Sequence, residues 1–199
     1  WVANRLSDAF ARPVSIEGGL DIALFPSPHV VVRDLMVGTS YANAGFALAK
    51  IGHGELRLDV PQLLEGKLEF SSVRLSEVTL NVPAKGQLSR LKFLPVREIE
   101  LRSVTIVLPG QGRPSLLISQ GLMSWPVEAT RGEVKLMGIV SGERVMASGS
   151  VGLRMDGDGD PLAIVDLTIE VATTTTTING VVGRNKMDLA LESQTPAFE

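Results

Sequence analysis

The sequence contains no cysteine, which excludes disulfides, thiolate nucleophiles and cysteine-ligated zinc, and which suits either a reducing cytosol or a bacterial envelope. Aromatic residues make up only 5%, so the apolar content of 44% rests on Val, Leu, Ile and Ala, residues that favour smooth strand faces over aromatic stacking platforms. The formal net charge is −3, and no stretch gathers Lys and Arg into a tract able to follow a phosphate backbone. Nucleic acid is therefore a poor partner. No apolar run reaches the roughly 18 residues that a membrane-spanning helix needs.

What is present is alternation. Leu56, Leu58 and Val60 alternate with Glu55, Arg57 and Asp59. Val145, Ala147, Gly149, Val151 and Leu153 do so with Met146, Ser148, Ser150 and Arg154, and Val165 to Val171 with Asp166, Thr168 and Glu170. Period 2 predicts strands with one buried face and an antiparallel sheet. The threonine run from Thr173 to Thr177 reads as an exposed strand or a strand edge.

An eight-residue phrase recurs, with two alternating apolar residues, two spacers and two more alternating apolar residues. Its copies are Val30, Val32, Arg33-Asp34, Leu35, Val37; Val73, Leu75, Ser76-Glu77, Val78, Leu80; and Ile99, Leu101, Arg102-Ser103, Val104, Ile106. Each phrase carries one residue more than strict alternation allows. A bulge or bend in a long strand absorbs it while the apolar residues keep one side. Repetition predicts stacked β units with a continuous apolar surface.

Trp1 to Arg12 reads as an amphipathic helix, with Val2, Leu6, Ala9 and Phe10 on one stripe and no capping residue ahead of it. The expectation is a helix continuing upstream into a membrane anchor. Pro61 to Gly66 has a proline where a helix starts and a glycine where it stops, and predicts a short helical cap between strands. Glu199 follows no stop signal, so further β units are expected beyond it.

Catalytic and metal-binding patterns are sparse. Asp156-Gly157-Asp158-Gly159-Asp160 spaces carboxylates as a calcium loop does, but Pro161 and Leu167 occupy the positions where that loop needs Gly and Glu, which leaves a solvated turn. His29 and His53 are the two histidines and form no local metal motif. No Gly-x-Ser-x-Gly elbow or Walker loop occurs, and Gly110-Gln111-Gly112 lacks the third glycine of a dinucleotide site. Arg90, Lys92 and Arg97 could touch anionic headgroups, although Glu98 and Glu100 dilute them; as a solvated, charge-protected edge they need no ligand. Trp125, before Pro126, reads as packing before it reads as an interfacial anchor. The expectation is a non-enzymatic protein without a cofactor or metal.

The order of these pieces resembles the N-terminal region of the AsmA-like family. The likeness starts at Arg12-Pro13-Val14-Ser15-Ile16-Glu17-Gly18 and continues through Phe25-Pro26-Ser27-Pro28, the apolar strand Val30 to Val37 and a small polar loop from Gly38 to Gly45. Ala47-Leu48-Ala49-Lys50-Ile51, an alternating strand, Leu63-Leu64-Glu65-Gly66 and the phrase at Val73 to Val82 complete it. It covers residues 1–82; Ile178 to Val182 followed by Met187 to Leu191 is similar to a degenerate strand-Gly-strand unit of the later family region. The resemblance implies a single-pass inner-membrane anchor and a periplasmic β structure curved around an apolar groove, with a role in outer-membrane lipid supply and assembly.

The expected fold is therefore mainly β: a long twisted antiparallel sheet curled into an apolar groove, with an N-terminal helix and a short helical cap. Residues 1–199 are expected to be one continuous β-rich fragment of a larger protein, with 1–82 AsmA-like and 83–199 further β units. The groove candidates are Leu56, Leu58, Val73, Leu75, Val78, Leu80, Ile99, Leu101, Val104 and Ile106. The expected function is phospholipid handling on the periplasmic side of the inner membrane, with acyl chains as partners. The alternative is a scaffold or regulator that binds envelope proteins through a sheet edge. Alternation alone describes an open trough and a closed sandwich equally well.

Overall fold

The computed structural model describes residues 13–38, 47–65, 70–82, 96–108, 115–125, 130–155, 161–183 and 187–195. The expected helix at 1–12, the tract at 156–160, Gly110 to Gly112, Arg90 and Lys92 lie outside the described residues, as does most of the loop 38–45.

In chain order the elements are β1 (Val14–Ile16), β2 (Leu20–Ala23), β3 (His29–Gly38), β4 (Ala47–Leu58), α1 (Val60–Leu64), β5 (Phe70–Asn81) and β6 (Val96–Val107). They are followed by β7 (Leu116–Ser124), β8 (Arg131–Val140), β9 (Glu143–Met155), β10 (Pro161–Val171), β11 (Thr174–Gly183) and β12 (Met187–Gln194). All twelve strands join one sheet, which runs in chain order from β3 to β12 and is not closed into a barrel. β1 and β2 lie end to end along the outer edge of β3.

The sheet is not wholly antiparallel. β5 and β6 run parallel, with Val73 beside Ile99, Leu75 beside Leu101, Val78 beside Val104 and Leu80 beside Ile106. The second and third phrases thus stack residue for residue, which a tight hairpin between them would have prevented.

α1 corrects the expected cap. It is a single turn whose N-cap is Asp59: the carboxylate accepts the Gln62 N–H at 3.3 Å, and Pro61 sits in the first turn, where its missing N–H leaves no helical bond unmade. Val60 and Leu64 are exposed and cover none of the sheet. The threonine run is a strand, but it is not an edge, because β12 flanks it. Threonine and serine hydroxyls meet there, Thr176 with Ser193 at 3.2 Å and Thr174 with Thr195 at 3.3 Å.

The extra residue of each phrase is absorbed as a bend shared between strands. Asp34, Glu77 and Ser103 have φ of 50°, 55° and 52°, a left-handed conformation that turns the chain and returns the next apolar residue to the original face. The partner strands carry an extra residue at the same level. Arg33 pairs with His53 and Leu35 with Ile51; His53 pairs with Ser76 and Ile51 with Val78; Arg102 pairs with Gln120 and Val104 with Ile118. Register is therefore conserved across a crease through Asp34, Gly52, Glu77, Ser103 and Ser119. β8 alternates without interruption, and the mismatch is taken up at Ser119, where Ile118 pairs with Gly138 and Gln120 with Met137. That single two-against-one step is a β-bulge.

Every substantial contact between described elements joins hydrogen-bonded neighbours, so among the described residues no second sheet packs on the first. Burial is correspondingly shallow. Among the described residues ten apolar residues are buried, Val32 and Val134 most deeply at 3% exposure, and no side chain is completely buried. Two small clusters hold the sheet. Val32, Leu35 and Val37 pack with Val14, Ile16 and Leu20, while Val78, Val104 and Ile118 pack with Leu75, Leu101 and Leu136. A sandwich would have buried such residues between two layers about 10 Å apart.

Candidate functional site: one apolar face

Paired residues on neighbouring strands point to the same side of a sheet, so the register assigns each side chain to a face. One row runs Val30, Leu56, Val73, Ile99, Met123, Val134, Gly149, Leu167, Ile178, Leu191, from β3 to β12 without a polar residue. With adjacent strands about 4.8 Å apart, its nine steps extend over about 43 Å. The next row on this face runs Val32, Gly54, Leu75, Leu101, Gly121, Leu136, Ala147, Ile169 and ends in Thr176 and Ser193. Beyond the crease the face continues as Leu35, Ile51, Val78, Val104, Ile118 and as Val37, Ala49, Leu80, Ile106, Leu116.

Of the ten groove candidates, nine fall on these rows. Leu56, Val73 and Ile99 stand in one row, Leu75 and Leu101 in the next, Val78 and Val104 beyond the crease, then Leu80 and Ile106. Leu58 pairs with Phe70 past a register shift at the far end of β4.

The surface is wider than these ten residues. β4 and β7 carry the phrase too, as Ala49, Ile51, Gly52-His53, Gly54, Leu56 and as Leu116, Ile118, Ser119-Gln120, Gly121, Met123. A glycine in an apolar position conceals both copies from hydropathy, although the spacing was legible. Gly121 makes room for its neighbours: a Cβ there would stand 2.7 Å from a Leu136 methyl and 3.2 Å from Leu101 Cβ.

The opposite face is charged where β4, β5 and β6 meet. Arg57 donates to Glu55 at 2.9 Å, Arg74 to Glu100 at 2.5 Å, and Arg102 to Glu100 at 2.6 Å, with Arg74 also 3.7 Å from Glu55. The hydrogen bond from Arg57 holds the Glu55 carboxyl below its usual range, and those from Arg74 and then Arg102 do the same for Glu100. Glu100 in turn raises the pKa of Arg74. Beside this network, at the Ser119 bulge, is an open hollow of about 390 Å³ lined by Glu100, Arg102, Gln120, Leu122, Lys135 and Met137.

Arg97, weighed for headgroup contact and read as part of a charge-protected edge, forms an ion pair with the buried Asp59 at 3.0 Å. Trp125 packs over Gly132, where a Cβ would fall 2.5 Å from the indole ring, and the Trp125 backbone N–H donates to the Arg97 carbonyl at 2.7 Å. The histidines are apart. His29 donates to the Ser27 carbonyl at 2.8 Å, and His53 lies in the crease row between Arg33 and Ser76. Among the described residues no three His, Asp or Glu side chains are placed to hold a metal ion, and no helix is long and apolar enough to cross a membrane.

The class defined by this geometry is an open β-sheet with one aliphatic and one mainly polar face. Compared with known proteins, the chain matches no family model and no curated protein.

Proposed function

We propose that the aliphatic face is a lipid-handling surface and that acyl chains lie along its rows. The observation that carries this reading is the unbroken apolar row from Val30 to Leu191, on a sheet against which no other described element packs. An alkyl chain needs no directional partner; each methylene removed from water contributes about 0.8 kcal/mol, and the row is longer than the roughly 30 Å hydrocarbon layer of a bilayer. The resemblance to AsmA-like proteins supports phospholipids as the cargo and the periplasmic side of the bacterial inner membrane as the location, in service of outer-membrane assembly. The chemistry is binding and transfer without a catalytic group or cofactor.

Photo-crosslinkers at Leu75, Leu80 and Ile106 test the reading in cells, with Arg74, Thr79 and Thr105 as neighbours on the other face. Lipid adducts at the first set only are expected. Absence of adducts at both sets in folded protein defeats the proposal. A scaffold that accepts a partner strand is the second reading, favoured by the outer edge of β12, which pairs with no described strand.

A further inference from the structure

Exposed apolar side chains are also concentrated at one rim of the sheet. The turn between β2 and β3 exposes Phe25 at 90% and Leu24 at 71%, next to Ile22 at 59%, and α1 exposes Leu64 at 84%. The two segments share one end of neighbouring strands. His29 pairs with Arg57, and the Leu58 N–H donates to the Pro28 carbonyl at 3.0 Å, which holds the β2–β3 turn beside the entry to α1.

Their composition is unusual for exposed turns. Residues 22–28 (Ile-Ala-Leu-Phe-Pro-Ser-Pro) and 60–64 (Val-Pro-Gln-Leu-Leu) contain no charged residue in a chain that is 21% charged. Pro26, Pro28 and Pro61 have no N–H that needs a partner, and the Ser27 and Pro28 carbonyls already accept bonds from His29 and Leu58. The three prolines therefore leave fewer N–H groups to be desolvated when these turns move out of water. The charged collar behind them is internally paired, Arg57 with Glu55 and Arg97 with Asp59.

We infer that this rim docks on a lipid bilayer, with Leu24, Phe25 and Leu64 entering the boundary between headgroups and acyl chains. A protein partner gains specificity from hydrogen bonds and charges, and these turns present almost none. A bilayer rewards apolar area whatever its orientation. Because the collar is neutralised within the protein, attachment is apolar in character and persists in high salt. The inference does not depend on lipid occupying the aliphatic face, since it concerns different residues.

The test is cosedimentation of the 199-residue chain with phosphatidylethanolamine–phosphatidylglycerol vesicles at low and high salt, for the parent, a Phe25→Ser/Leu64→Ser variant and a Met137→Ser control. Met137 is also exposed but lies on the polar face, away from the rim. The parent and the control are expected to bind alike at both salt concentrations, and the rim variant about tenfold or more weaker. Both substituted side chains are exposed, so the variant should keep the parent's thermal midpoint. As a second measurement, a Phe25→Trp probe should shift its emission to the blue when vesicles are added. Failure of the parent to bind, equal binding by the rim variant, or an unshifted probe would each overturn the inference.

Discussion

Glu77 and Gly52 oppose each other across the β4–β5 pair at the crease, where a Cβ on Gly52 would stand 2.9 Å from Glu77 Cβ and 2.7 Å from its Oε2. The left-handed backbone of Glu77 sets its side chain over the neighbouring strand, and only a glycine leaves room beneath it. Gly52→Ala should destabilise the protein by about 1–3 kcal/mol, as overpacking does. Glu77→Gly should recover part of that loss, because it removes the obstructing side chain and suits the left-handed backbone. Denaturant unfolding of the two single variants and the double variant measures the coupling; strictly additive effects would mean that the two residues do not constrain each other.

Ser103 offers a cleaner test of the backbone itself, because its φ of 52° is left-handed and its side chain is exposed. Ser103→Val should cost about 1–2 kcal/mol, since a β-branched side chain crowds the carbonyl in that conformation. Ser103→Gly should stay within about 0.5 kcal/mol of the parent, the relief of strain offsetting the added freedom of the unfolded chain. A Val variant as stable as the parent would show that β6 does not need the bend.

The carboxylates of the polar face predict a pH response with a definite sign. Glu100 and Glu55 both sit below the ordinary value of 4.5, so in acid the unfolded chain takes up these protons before the folded one does. The stabilisation is therefore fully present above that value and is lost as pH falls through the depressed pKa values. Arg74→Met should raise the Glu100 pKa more than Arg102→Met does, because the Arg74 bond is its principal cause. Carboxyl carbon NMR titrations of the two variants read the difference, and the reverse order would make Arg102 the main partner.

The polar face needs these charges because no described element packs over the sheet to protect it. Paired opposite charges on neighbouring strands each contribute roughly 0.2–1 kcal/mol and keep that face soluble. The aliphatic face carries no such device. That asymmetry is the reason the proposed function is assigned to it.

Strand identity, the shared face of Leu56 through Ile106 and the irregularity at Arg33-Asp34, Ser76-Glu77 and Arg102-Ser103 were all legible in the sequence, because side-chain alternation is a local property of the backbone. Two copies of the phrase are hidden from hydropathy because Gly54 and Gly121 occupy apolar positions with no side chain to register as apolar. The parallel pairing of β5 with β6, the bulge at Ser119 and the absence of a covering layer among the described elements are different in kind. Alternation states which residues share a side, but it is equally satisfied by parallel or antiparallel neighbours and by one layer or two. Those choices depend on contacts between segments far apart in the chain, and so only the tertiary structure decided them.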